Sequence, residues 1–224
     1  MIIALPIEVK MKWISAHRLV LFSSTLIFIV ATSSSYAHTA NNFSFRSGLF
    51  HPVFGPDHLI AMLSVGIVSA LIGGTALWRV PSMFVLSMIV GGWLGLLNLD
   101  MLAMDAGFIE YYVSDLIVEI VIGLSVVLFG LSIFWVDGID ERLAWITVSS
   151  FGLFHGYAHG MEMPPGTLPF NYVGGFVAGT VGIHVSGLSI GWLAGKSERL
   201  MGWLRACAAV SVAAGVYFVV SAFG

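Results

Sequence analysis

Apolar positions along this chain do not alternate or recur on one helical face; they run on for whole segments. Six runs are long enough to cross a bilayer, at about residues 56–77, 81–99, 113–136, 143–161, 172–194 and 201–222, since a helix needs roughly 20 apolar residues to do so. The connections between them are short, and no stretch reads as a soluble domain. Glycines recur inside the runs, as in Gly91-Gly92-x-x-Gly95, Gly174-Gly175-x-x-x-Gly179, Gly182 and Gly187. Such small residues let helices approach closely in lipid. The pattern predicts an all-α, polytopic membrane protein with six transmembrane helices.

A seventh apolar run, Leu19 to Ala31, is shorter and follows Lys10, Lys12 and Arg18. Ser35-Tyr36-Ala37 then offers small residues at the −3 and −1 positions of a signal-peptidase site. We expect residues 1–37 to be a cleavable leader and residues 38–224 to form the membrane domain. Cleavage after Ala37 makes His38 the first residue, where a free α-amine beside an imidazole can chelate a divalent cation.

Composition agrees with the runs. Hydrophobic residues make up 58% of the chain and charged residues only 9%, with a mean hydropathy of +0.97. Soluble domains are typically about 25% charged. The formal net charge of −3 gives no reason to expect a nucleic-acid partner. One cysteine, Cys207, excludes an intramolecular disulfide and a multi-thiolate site, so any metal here is held by nitrogen and oxygen. No glycine-rich phosphate loop of an ATPase is present.

Basic residues set the expected orientation. With the mature N-terminus outside, Arg79, Arg142, Lys196 and Arg199 fall in inner loops and Arg205 lies just inside the last run, while the outer side has only Arg46. This obeys the positive-inside rule and predicts a multi-pass membrane protein with its mature N-terminus outside. The segment 100–112, with Asp100, Asp105 and Glu110, then lies outside.

Against this background two polar stretches stand out: His51-Pro52-Val53-Phe54-Gly55-Pro56-Asp57-His58 and Phe154-His155-Gly156-Tyr157-Ala158-His159-Gly160-Met161-Glu162. Ionisable side chains in a membrane segment are costly and default to function. The expected orientation brings Asp57 and His58, at the start of the first run, to the same side as His155, His159 and Glu162, at the end of the fourth. Helical spacing places the last three on one face. Pro52 and Pro56 predict that the segment around His51 is extended or turned rather than helical, allowed at membrane depth only where it is buried in protein or lines a wet cavity.

Further polar positions extend inward. Asp115 and Glu119 share a face near the outer end of the third run, and His184 lies about 18 Å into the fifth at 1.5 Å per residue. Imidazole with a few carboxylates suits nickel, cobalt, zinc or copper(II), whereas magnesium and calcium prefer oxygen shells. Met62, Met161 and Met163 lie near the clusters but read as lipid-facing or core rather than ligands.

The pattern His-x5-Asp-His at His51 to Asp57-His58, with Phe-His-Gly-x-Ala-His-Gly-x-Glu at Phe154 to Glu162, closely resembles the HupE/UreJ family of bacterial nickel permeases. Both patterns match at every defined position, and the leader with six runs resembles the family over nearly the whole chain. The resemblance implies secondary transport of Ni²⁺ or Co²⁺, with His51, Asp57, His58, His155, His159 and Glu162 needed for uptake. His38, Asp115, Glu119 and His184 are further candidates along the path. No cofactor is expected; the partners are the divalent ion and the bilayer, with a homo-oligomer left open. Since a protonated imidazole cannot ligate, uptake is expected to fall as external pH drops below about 6.5.

Two rival classes remain. An intramembrane metallopeptidase could use His155 and His159 at His-Glu-x-x-His spacing, but Gly156 stands where the general base is needed, so no enzyme is expected. A metal sensor, accessory metal-binding subunit or haem anchor, the last using His58 with His155 or His184, is the alternative.

Overall fold

The computed structural model describes residues 40–97 and 108–223, and among them every element is helical. In chain order these are α1 (Ala40–Phe54), α2 (Pro56–Ile72), α3 (Ala76–Leu96), α4 (Phe108–Ser132), a 3-10 turn at Val136–Gly138, α5 (Glu141–Met161), α6 (Pro169–Ala194) and α7 (Glu198–Ser221). Each of the six expected runs holds one helix, α2 to α7. By length and composition α3, α6 and α7 can cross a membrane, and a fourth span results if α1 and α2 form one broken unit. The other two expected spans do not meet that measure. The apolar part of α4, Leu116–Ser132, is shorter, and α5 carries His155 and His159 among serines and glycines. The expected leader and His38 lie outside the described residues, as does most of the 100–112 segment.

One expectation is corrected. His51 is helical, in the last turn of α1, with Pro52 inside the same helix. A proline there removes one hydrogen bond, and its ring would crowd the carbonyl four residues back. The cost is limited because α1 stops two residues later. The break comes at Gly55 instead, whose ψ of 104° is the extended geometry imposed on a residue before proline. Pro56 then opens α2, a position where its missing N–H is no loss. Across the break the two helix axes differ by 82°.

Register contacts show how the helices run. Gly156 abuts the Met88 carbonyl, Gly160 that of Gly92, and Gly91 that of Leu153, so α3 and α5 lie parallel. Gly123 faces Val219 and Gly130 faces Val212, so α4 and α7 are antiparallel. Along α6, Gly175 and Gly179 meet the carbonyls of Phe45 and Leu49 in α1, and Gly187 and Gly191 those of Leu63 and Ile67 in α2. Both halves of the broken pair therefore run in the same sense as α6. From Leu49 to Leu63 the chain uses fourteen residues where α6 uses eight, from Gly179 to Gly187. The surplus is the bent segment that carries His51, Asp57 and His58.

The core lies where α2, α3, α5 and α6 meet, around the fully buried Met62, Val65, Phe84, Met88, Tyr172 and Phe176. At the start of α5, Asp140 caps the helix by accepting from the N–H groups of Arg142 and Leu143. Thr75 donates to Glu141 at 2.6 Å, and Arg79 reaches the same carboxylate at 3.4 Å, tying the α2–α3 turn to α5. That turn needs left-handed backbone at Gly73 and Gly74 (φ 76° and 57°), which favours glycine. Trp78, Trp135 and Trp203 are exposed at this end, as in an interfacial aromatic belt.

Candidate metal centre

The opposite end of α5, about 30 Å away for its 21 residues, holds the polar clusters. Here α1 and α5 both end, and helix C-termini carry partial negative charge that favours a cation. His51 Nε2 donates to Glu162 Oε2 at 3.0 Å, joining the last turn of α1 to the residue that caps α5. This hydrogen bond from His51 holds the Glu162 carboxyl below its usual value near 4.5. His51, His159 and Glu162 each offer one ligand atom, all within 4.8 Å of one another.

Behind this mouth lies a buried trio. The ring of His159 is 4.7 Å from that of His51 and 4.5 Å from that of His58, and His58 is 5.0 Å from His155. Two of the rings are fixed by their neighbours. His58 Nδ1 donates to Asp57 Oδ1 at 2.9 Å, and the same oxygen accepts from the His58 backbone N–H. His155 Nδ1 donates to the Phe151 carbonyl at 2.9 Å. Both tautomers are thereby set with a lone pair on Nε2, in the way that a hydrogen bond at one ring nitrogen orients the other toward a metal. His58 Nε2, His155 Nε2 and both nitrogens of His159 are buried without a hydrogen-bond partner. Buried polar atoms left bare cost about 1–3 kcal/mol each; of these four nitrogens one on His159 carries a proton in the neutral ring, which leaves three lone pairs gathered in one place.

All six residues of the two sequence patterns thus meet at one end of the bundle. Asp57, expected as a capture ligand, has one oxygen engaged by His58 and orients that ring. Glu119, on α4, lines a cavity of about 380 Å³ together with Asp57, His58 and Glu162, so three carboxylates border one opening beside the buried imidazoles. Asp115 falls within α4, and its side chain lies outside the described residues. His184 is not part of the cluster; it sits deeper on α6 and shares with His155 a ring contact to Phe84.

Sequence reasoning missed two aromatic residues. Phe84 packs edge-on against both His155 and His184, and Tyr172 lies 5.9 Å from the His51 ring with a buried, unpartnered hydroxyl. In a chain so rich in apolar residues, neither carries a sequence signal.

The family model described as HupE / UreJ protein matches residues 26–218. Protein HupE of Rhizobium leguminosarum bv. viciae is 35% identical over 181 residues, covering 80% of this chain and 87% of that protein. No solved structure matches. The family match spans both polar stretches and every described helix up to Phe218, and by that extent the chain belongs to the HupE/UreJ family.

Proposed function

We propose that this protein is a permease that carries Ni²⁺ or Co²⁺ inward across the bacterial inner membrane, capturing the ion at the His51–Glu162 mouth. The observation that carries this reading is the 3.0 Å approach of His51 Nε2 to Glu162 Oε2 beside three buried imidazoles with bare nitrogens. Two ligands at right angles on bonds of about 2.1 Å stand about 3.0 Å apart. The pair is already spaced for a divalent ion to replace the proton between them, with release of that proton.

The ion sheds water in stages. Glu162, Asp57 and Glu119 draw it to the opening, His51 and His159 take it up, and His58 and His155 complete a nitrogen shell that selects against magnesium and calcium. Six spans, the broken pair α1–α2 as the first and α3 to α7 as the others, suit this reading, because the alternating sense of the packed helices returns the chain to each side in turn. The leader at 1–37 and an outer mature N-terminus are part of the same proposal. Transport rather than catalysis is the work of the site, and the membrane potential is enough to drive it. Two charges moved through about 100 mV yield about 4.6 kcal/mol, roughly a 2000-fold gradient.

A haem anchor fits less well, since the His58 and His155 rings touch edge to face and leave no gap for a macrocycle. Uptake of radiolabelled nickel and cobalt into cells expressing wild type or His58→Ala tests the proposal. Accumulation is expected to fall to the background of cells lacking the protein; equal accumulation in both strains would overturn it.

A further inference from the structure

His184 is 2% exposed, and neither of its ring nitrogens has a hydrogen-bond partner. Its surroundings are drawn from three other helices. From α3 comes Phe84, whose ring lies 5.3 Å away; from α5 comes His155, which packs against the same Phe84 ring at 5.3 Å. From α2 comes Gly66, whose missing side chain lets the helix close onto the His184 carbonyl.

The same two faces of α3 and α6 continue toward the mouth. One turn before His184, Thr180 lies 3.8 Å from the sulfur of Met88, one turn beyond Phe84, and both are fully buried. One turn further, Phe176 packs 5.3 Å from His159. His184 is eight residues past Phe176, hence about 12 Å deeper along α6. Phe84 is the side chain that touches both the deepest outer imidazole, His155, and this one.

We propose that His184 is a second metal station, distinct from the outer cluster, which an ion reaches only after leaving His155 and passing Phe84. The proposal rests on the permease reading and adds an obligatory inner step to it. The donor groups that follow along the two helices are neutral: the imidazole itself and, one turn toward the mouth, the Thr180 hydroxyl and the Met88 thioether, 3.8 Å apart. Such a set accepts nickel, cobalt or copper ions but not magnesium or calcium. It also holds an ion more weakly than three imidazoles with a carboxylate nearby, and weak, successive sites are what conduction requires.

The test uses purified full-length protein. Nickel influx into proteoliposomes and equilibrium Ni²⁺ binding in detergent are measured side by side for wild type, His58→Ala, His184→Leu and His184→Met. His58→Ala is expected to lose both binding and influx. His184→Leu is expected to keep outer-site affinity within about threefold of wild type while influx falls at least tenfold, and His184→Met, which restores a metal-binding atom, to recover part of the influx. Wild-type influx in His184→Leu with none in His58→Ala would overturn the inner station and leave the permease reading standing. Wild-type influx in His58→Ala would defeat that reading itself. Loss of binding as well as influx in both His184 variants would show a structural role and likewise overturn the inner station.

Discussion

His51 and Glu162, 111 positions apart in the chain, meet nitrogen to oxygen at 3.0 Å across the ends of α1 and α5. In the proposed permease a single ion would bridge them, and their contributions to its binding would then be coupled. His51→Ala and Glu162→Gln are each expected to weaken Ni²⁺ binding, and the double variant to be little worse than either alone, a coupling of about 1–3 kcal/mol. Isothermal titration of the four proteins reads the cycle. Strict additivity would mean that the two residues do not share a ligand.

The same contact governs the acid response of the mouth. A carboxyl held below its usual value near 4.5 by a hydrogen bond from His51 lends stability that is present above that value and is lost as pH falls through the lowered one. Glu162 is therefore expected to stay ionised throughout the range from pH 7 to 5, and a loss of metal binding there is not due to its protonation. Infrared titration checks this: a protonated-carboxyl band absent in Glu162→Gln should grow in only below the usual glutamate range. A band titrating at or above 4.5 would contradict the pairing.

Asp57 is expected to act through His58 rather than on the ion. Its Oδ1 takes both the ring and the backbone N–H of His58, which holds the ring with Nε2 toward the cluster. Outer-shell partners of this kind cost about 10–100-fold in metal affinity when removed. Asp57→Asn, which weakens the acceptor without changing its size, should reduce cobalt affinity by that factor with an unchanged number of coordinated imidazoles in X-ray absorption. A change in the coordinating atoms would instead make Asp57 a ligand.

The places of six helices and the meeting of two polar stretches are legible in the amino-acid sequence for one physical reason. Long apolar runs have few ways to hide their backbone in lipid, and charged side chains within them have few tolerable places. Contacts between helices are not written that way. Phe84 is one apolar residue among many, and only packing reveals that its ring touches both His155 and His184. The helical state of His51 is masked by Pro52, whose penalty is a local rule that holds in a helix interior and is outweighed in a last turn pinned by Gly48, Gly175 and Gly179 against α6.

The proposed orientation makes a labelling pattern. Phe54, at the bend, is 80% exposed and belongs to the outer end; Arg199 opens α7 at the other. With Cys207 replaced by Ser, Phe54→Cys is expected to react with a membrane-impermeant maleimide in intact cells, and Arg199→Cys only after the membrane is opened. The reverse pattern would invert the topology and place the mouth inside.

The close approach of α3 and α5 carries the site, because His155 and His159 ride on α5 while Phe84 rides on α3. At Gly156 an added methyl would press on the Met88 carbonyl and the Gly92 nitrogen, whereas at Gly174 it would meet nothing within 4 Å. Overpacking of a tight contact costs about 1–3 kcal/mol, while alanine for glycine in an open helix position gains up to about 1 kcal/mol. Gly156→Ala is therefore expected to lower the temperature at which detergent-solubilised protein aggregates and to weaken Ni²⁺ binding with it, since His155 shifts as α5 is pushed away. Gly174→Ala should leave binding unchanged and melt at the same or a higher temperature. Equal melting of the two variants would mean that the α3–α5 contact is looser than the register of glycines and carbonyls implies.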